Sequence, residues 1–128
     1  MDENIRNILN IIEMLESRIN AYWNFYTIVV LAMTGWLLSS KITFDLNQRI
    51  ALTLAFLVFL INNFFVMRAV TKRVVAFESE LNLLAKDYDF KSSLFKYELS
   101  HNPIPMRLIC SYILHIIIDA VVIYAIWI

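Results

Sequence analysis

Ile50-Ala-Leu-Thr-Leu-Ala-Phe-Leu-Val-Phe-Leu-Ile-Asn-Asn-Phe-Phe-Val-Met67 runs for 18 residues without a charge and ends sharply at Arg68. An uncharged apolar run of that length reads as a helix crossing a bilayer. No proline or glycine occurs in the next 35 residues, so the helix is expected to continue into water. The continuation carries an apolar seam at alternating steps of three and four, through Val70, Val74, Phe77, Leu81, Leu84 and Tyr88. Counted backwards, the same seam passes through Met67, Asn63, Leu60, Phe56 and Thr53. One helix of about 40 residues would be about 60 Å long, roughly twice the thickness of the bilayer core.

A stalk of this kind needs a partner, because packing supplies most of the stability of an amphipathic helix. The start of the chain offers one. Ile5, Ile8, Ile12, Leu15, Ile19 and Tyr22 form a second heptad seam, with Arg6, Asn7, Asn10, Glu13 and Arg18 on the other faces. This arm, residues 1–22, runs without a breaker into a first span over 23–40. Tyr22, Trp23, Phe25 and Tyr26 cluster at one end of that span and Trp36 lies towards the other, as aromatic belts do at the two bilayer surfaces. A polar turn, 41–49, joins the two spans.

After the stalk (68–88), Phe90, Leu94 and Tyr97 fall at helical spacing among Lys91, Lys96 and Glu98, which predicts a short helix at the membrane interface. Asn102-Pro-Ile-Pro105 stops it, and residues 106–128 form a third span. Residues 89–105 therefore make up an interfacial helix and a proline turn. The fold class expected is an all-α integral membrane protein with three transmembrane helices. Helices 1 and 2 extend into the cytoplasm as an antiparallel, coiled-coil-like hairpin. Orientation follows from Lys and Arg in the flanks. Nine lie in the arm, the long segment and its edge at Arg107, against two (Lys41 and Arg49) in the first turn. This excess places the N-terminus in the cytoplasm and the C-terminus outside.

Composition supports the membrane reading and excludes several functions. The chain of 128 residues is 60% hydrophobic and 17% charged, with mean hydropathy +0.65. A soluble domain is nearer 45–50% apolar and about 25% charged. Eleven basic and eleven acidic side chains give no net charge, hence no footprint for nucleic acid. The single glycine, Gly35, leaves no phosphate-binding or dinucleotide loop. The single cysteine, Cys110, leaves no intrachain disulfide and no cysteine-rich zinc site. Residues 1–20 lack the pattern of a signal peptide, and no lipidation motif is present.

Chemistry concentrates in the third span. Arg107, Ser111, His115 and Asp119 lie four apart on one helical face, and Asp119 sits about 18 Å from Arg107 along the axis, near the midplane. An ionisable residue at that depth is costly and marks a functional site by default. A proton relay or cation site is one reading of His115 and Asp119, and a buried clasp that fixes helix register is the other. The first span adds a polar stripe at heptad steps, Asn20, Asn24, Thr27, Thr34 and Lys41, with Leu31 and Leu38 between. It reads either as a pore lining with a leucine constriction or as small polar residues bonding between helices. Counting along each span places Thr34 level with Asp119 and Asn63 level with Ser111 and His115. Arg68, Lys72 and Arg73 are placed to meet anionic lipid headgroups.

Ser111, His115 and Asp119 have the residue types of a nucleophilic triad. They share one helix with no oxyanion hole, so no enzyme or catalytic residue is expected. Metal binding through His115 and Asp119 would need at least one more ligand, and His101 lies outside the membrane, so no metal or cofactor is expected. Size and layout resemble small bacterial membrane proteins such as pore-forming effectors and holins, with no motif tying the chain to either, and suggest an inner membrane. The function expected is an oligomeric ion-permeable pore or channel, assembled or gated through its stalk. The polar site would comprise Asn24, Thr27, Thr34, Asn63, Ser111, His115 and Asp119. The alternative is a non-conducting scaffold whose stalk docks a cytoplasmic partner. Expected partners are membrane lipid, further copies of the chain and a cytoplasmic protein or regulator.

Overall fold

The computed structural model describes residues 2–40, 43–100 and 106–128, the last segment with side chains from residue 109 onward. The expected proline turn, His101, Lys41 and the Arg107 side chain lie outside the described residues. Four helices and no strand occur among the described residues: α1 (Glu3–Ser39), α2 (Leu46–Asp87), α3 (Ser93–Ser100) and α4 (Met106–Trp127).

Their ends are set by local chemistry. Asp2 caps α1 by accepting from the Asn4 amide, and Glu3 adds negative charge to the first turn, where the helix dipole favours it. At the other end the Ser40 amide and the Ser39 hydroxyl both donate to the Trp36 carbonyl, and the Ser40 hydroxyl donates to that of Leu37. Carbonyls with no partner in the helix are thereby satisfied. Asp45 opens α2 with a capping box: the Gln48 amide donates to Asp45 Oδ1 at 2.8 Å, and the Asp45 amide to Gln48 Oε1 at 3.0 Å. With no glycine or proline inside it, α2 runs unbroken for 42 residues.

Three of the helices, α1, α2 and α4, are long and apolar enough to cross a membrane. Large apolar side chains such as Leu31, Val58, Phe65 and Ile116 lie on their outer faces, the surface of a protein solvated by lipid. Arg18 is the last charge on α1 before the helix ends, so its uncharged stretch begins at Ile19.

The core is a line of contacts between α1 and α2, which α4 joins. Ile5 and Ile12 pack with Leu81, then Leu15 and Ile19 with Met67, Val70 and Val74, then Tyr26 and Val30 with Phe56, Leu60 and Val122. Residue numbers rise on α1 as they fall on α2, so the two helices run antiparallel. At the far end of α4 the Arg49 guanidinium donates to the Ile126 carbonyl at 3.1 Å. Trp127 Nε1 donates to Thr53 Oγ1 at 3.2 Å, so α4 is antiparallel to α2 as well. Leu99 of α3, with Phe90 before it, rests on the Ile5–Ile12–Leu81 cluster, and Leu94 and Tyr97 point outward.

Candidate functional site

Each long helix contributes a pair of side chains one turn apart to a single point in the bundle. These pairs are Trp23 and Tyr26 from α1, Asn63 and Met67 from α2, and His115 and Asp119 from α4. Spacings of three and four bring such pairs onto one face of a helix. Asn63 and His115 lie on the core-facing stripes of their helices, so packing itself encloses them.

His115 is at the centre, 1% exposed. Its ring lies 4.3 Å from that of Tyr26 and 4.9 Å from that of Trp23, with Phe64 edge-on at 6.0 Å. His115 Nε2 faces Met67 Sδ at 3.3 Å and Asn63 Nδ2 at 3.4 Å. Its Nδ1 is 3.9 Å from Asp119 Oδ2, an ion-pair distance too long for a hydrogen bond. The Tyr26 hydroxyl donates to Asp119 Oδ1 across the α1–α4 contact. The result is a chain of polar groups, Asn63, His115, Asp119 and Tyr26, walled by aromatic rings and closed by Val122 and Leu60. The cluster thus joins polar side chains of three helices at one point, the kind of contact by which polar groups link helices in membranes. No group of three or more His, Cys, Asp or Glu side chains suited to a metal ion occurs among the described residues.

The structure divides the residues singled out from the sequence into two sets. Asn63, His115 and Asp119 meet at this point, with Ser111 half-buried one turn earlier on α4. Asn24 and Thr27 are exposed on the outer side of α1, and Thr34 is partly exposed two turns beyond Tyr26. Asp119 is thus level with Tyr26 and not with Thr34. The difference arises because packing sets the axial position of α1 against α4, with Tyr26 and Val30 seated on Val122. Arg68, Lys72 and Arg73 are exposed on α2 just past Met67.

Tyr26, Trp23 and Met67 complete the site and were not among the residues expected there. Tyr26 and Trp23 read in sequence as an interfacial belt. Steps of four from Tyr22 reach Tyr26 and Val30, and following the α1 seam that far would have turned Tyr26 inward.

No known protein family, characterised protein or solved structure matches the chain.

Proposed function

We propose that the chain assembles into a homo-oligomer that forms an ion-permeable membrane pore along the outer side of α1. The observation that carries this reading is the exposure of Asn20, Asn24 and Thr27 on the uncharged stretch of α1, where exposed neighbours such as Phe25, Ile28 and Leu31 are apolar. They lie one residue on from the core positions Ile19, Trp23 and Tyr26, about 100° round the helix. Hydrocarbon cannot satisfy an amide side chain, and leaving one unpaired costs several kcal/mol. A water-filled axis or a neighbouring subunit is therefore the stable surrounding for this stripe. Leu31 and Leu38, 67% and 69% exposed further along, supply a hydrophobic constriction on the same path.

On this reading the His115–Asp119 cluster holds each protomer together and the stripe conducts. The seams of residues 3–18 and 68–88 form a hairpin standing in the cytoplasm, on the side rich in Lys and Arg. There it assembles the oligomer or takes a regulatory input. Arg68, Lys72 and Arg73 contact anionic headgroups of an inner membrane, α3 offers Leu94 and Tyr97 to its surface, and the C-terminus lies outside. The protein acts without catalysis.

A second reading, a non-conducting scaffold that docks a cytoplasmic partner, draws on Leu83, an apolar side chain exposed on the stalk. Reconstitution into liposomes separates the two. The pore reading expects ion flux that falls sharply in the Asn24→Leu/Thr27→Leu double variant while the oligomer persists. No flux from the unaltered protein, together with loss of a specific cytoplasmic partner in Leu83→Asp, is the result that favours the scaffold.

A further inference from the structure

Asp119 faces two ways. On the inner side it accepts from Tyr26 and approaches His115. On the outer side it forms the floor of a groove of about 490 Å3 between α2 and α4. The walls are Leu57, Ile61, Phe64, Phe65, Ile116 and Ile123, all apolar. The carboxylate side chain is 21% exposed, in a region where the surrounding surface is built for lipid. His115 approaches this carboxylate from the inner side only, and a carboxylate open to an apolar groove at that depth favours a cation on the open side as well.

Among the described residues no cation reaches the carboxylate from the groove side. Residues 19–40, 50–67 and 109–128 contain no Lys or Arg. Arg49 is committed to the carbonyls of Phe44 and Ile126 at the end of the bundle, and His115 is sealed on the inner side. A second copy docked in the groove would bring only apolar or neutral side chains to Asp119. An acyl chain would bring none.

We infer that this groove is a binding site for an amphipathic organic cation, a single positive charge on an aromatic or branched apolar body, entering from the lipid. The volume lies within the range of sites for small organic ligands, roughly 300–1,000 Å3. Phe64 and Phe65 provide ring surface for an aromatic body and cation–π attraction for the charge. The floor is rigid, since Tyr26 holds one carboxylate oxygen and is itself fully buried. The inference stands apart from the pore reading, because the groove lies between α2 and α4 whereas the polar stripe is on α1.

The test uses the full chain in lipid nanodiscs, with tetraphenylphosphonium as the probe and calorimetric titration against empty nanodiscs. Saturable binding near one probe per chain is expected, weakened at least about tenfold by Asp119→Asn, which removes a desolvated charge partner. Ile61→Trp fills the groove, leaves Asp119 and its Tyr26 contact in place, and weakens binding to a similar extent. Uncharged triphenylphosphine oxide, of related shape, binds at least about tenfold more weakly than the cation. Three results overturn the inference: no saturable binding, equal binding of the uncharged compound (an acyl-chain groove), or ready crosslinking of Ile61→Cys, in a Cys110→Ser background, between two copies without probe (a second copy as occupant).

Discussion

Deleting one oxygen atom probes the join between α1 and α4. Tyr26→Phe removes the hydroxyl that donates to Asp119 and keeps the ring, fully buried and packed on His115 at 4.3 Å. A hydrogen bond to a charged acceptor is worth about 1.5–3 kcal/mol in soluble proteins. Between membrane helices the mean is about 0.6 kcal/mol and the maximum about 1.7, because the unfolded chain also finds partners in the bilayer. The Tyr26–Asp119 bond belongs near the upper end. Tyr26 is the single hydrogen-bond donor to the Asp119 carboxylate among the described residues, and His115 Nδ1 at 3.9 Å is too far to substitute. The expected cost is about 1.5 kcal/mol, close to a tenfold change in the unfolding equilibrium. The assay is unfolding by sodium dodecyl sulfate in mixed micelles, in a Trp36→Phe/Trp127→Phe background, followed by the fluorescence of Trp23, which abuts Tyr26 at 5.6 Å. A double-mutant cycle with Asp119→Leu isolates the pair, and most of the loss should appear as coupling. Asp119→Leu alone is free to stabilise, since replacing a largely desolvated charge by an apolar group of similar size often does. Strict additivity, with coupling under about 0.3 kcal/mol, would refute the bond as a link between the helices.

Three further predictions concern the scaffold. Leu15→Ala empties a buried site between Val70 and Val74, costs about 2–4 kcal/mol, and loosens the arm preceding the membrane. Hydrogen exchange should rise over residues 3–18 and not over 27–38, and uniform exchange along α1 would contradict the stalk packing. Asp45→Ala dismantles the capping box of α2 for about 1 kcal/mol in the same unfolding assay, and no loss would mean that the box does not hold the first turn of α2. Arg49→Met removes the cation from the C-terminal carbonyls of α4, for about 1 kcal/mol. Trp127 should then become more accessible to an aqueous quencher, and unchanged quenching would show that Arg49 does not anchor that end.

The periodicity of this sequence carries much of its architecture. Ile5, Ile12, Leu15 and Ile19 on one seam and Leu60, Asn63, Met67, Val70, Val74 and Leu81 on the other are all buried in the structure. Heptad steps report which face of a helix is apolar, and here apolar faces meet. The uncharged run from Ile50 to Met67 and the cost of an Asp inside a span likewise follow from composition alone. The composition of the site was less legible. Asn63 can be aligned with His115 by counting from Arg68 and Arg107, because both helices start from a charged edge on the same side. The partner of Asp119 on α1 cannot be found that way, since the arm runs into the span without a break and only tertiary packing sets its axial shift. That shift exchanges Thr34 for Tyr26. Trp23 and Tyr26 were hidden for a second reason: aromatic residues near a membrane surface suit a belt and a core equally well.

The central claim is that Asn24 faces an aqueous path in the assembled protein. Conductance of the Asn24→Cys variant in a planar bilayer tests it most directly, in a Cys110→Ser background because Cys110 is itself exposed. A membrane-impermeant thiol reagent should react with the new cysteine and block current. The same reagent should leave Ile116→Cys, on the lipid-facing side of α4, unmodified. A current unaffected by the reagent, with Asn24→Cys as inert as Ile116→Cys, would contradict the account.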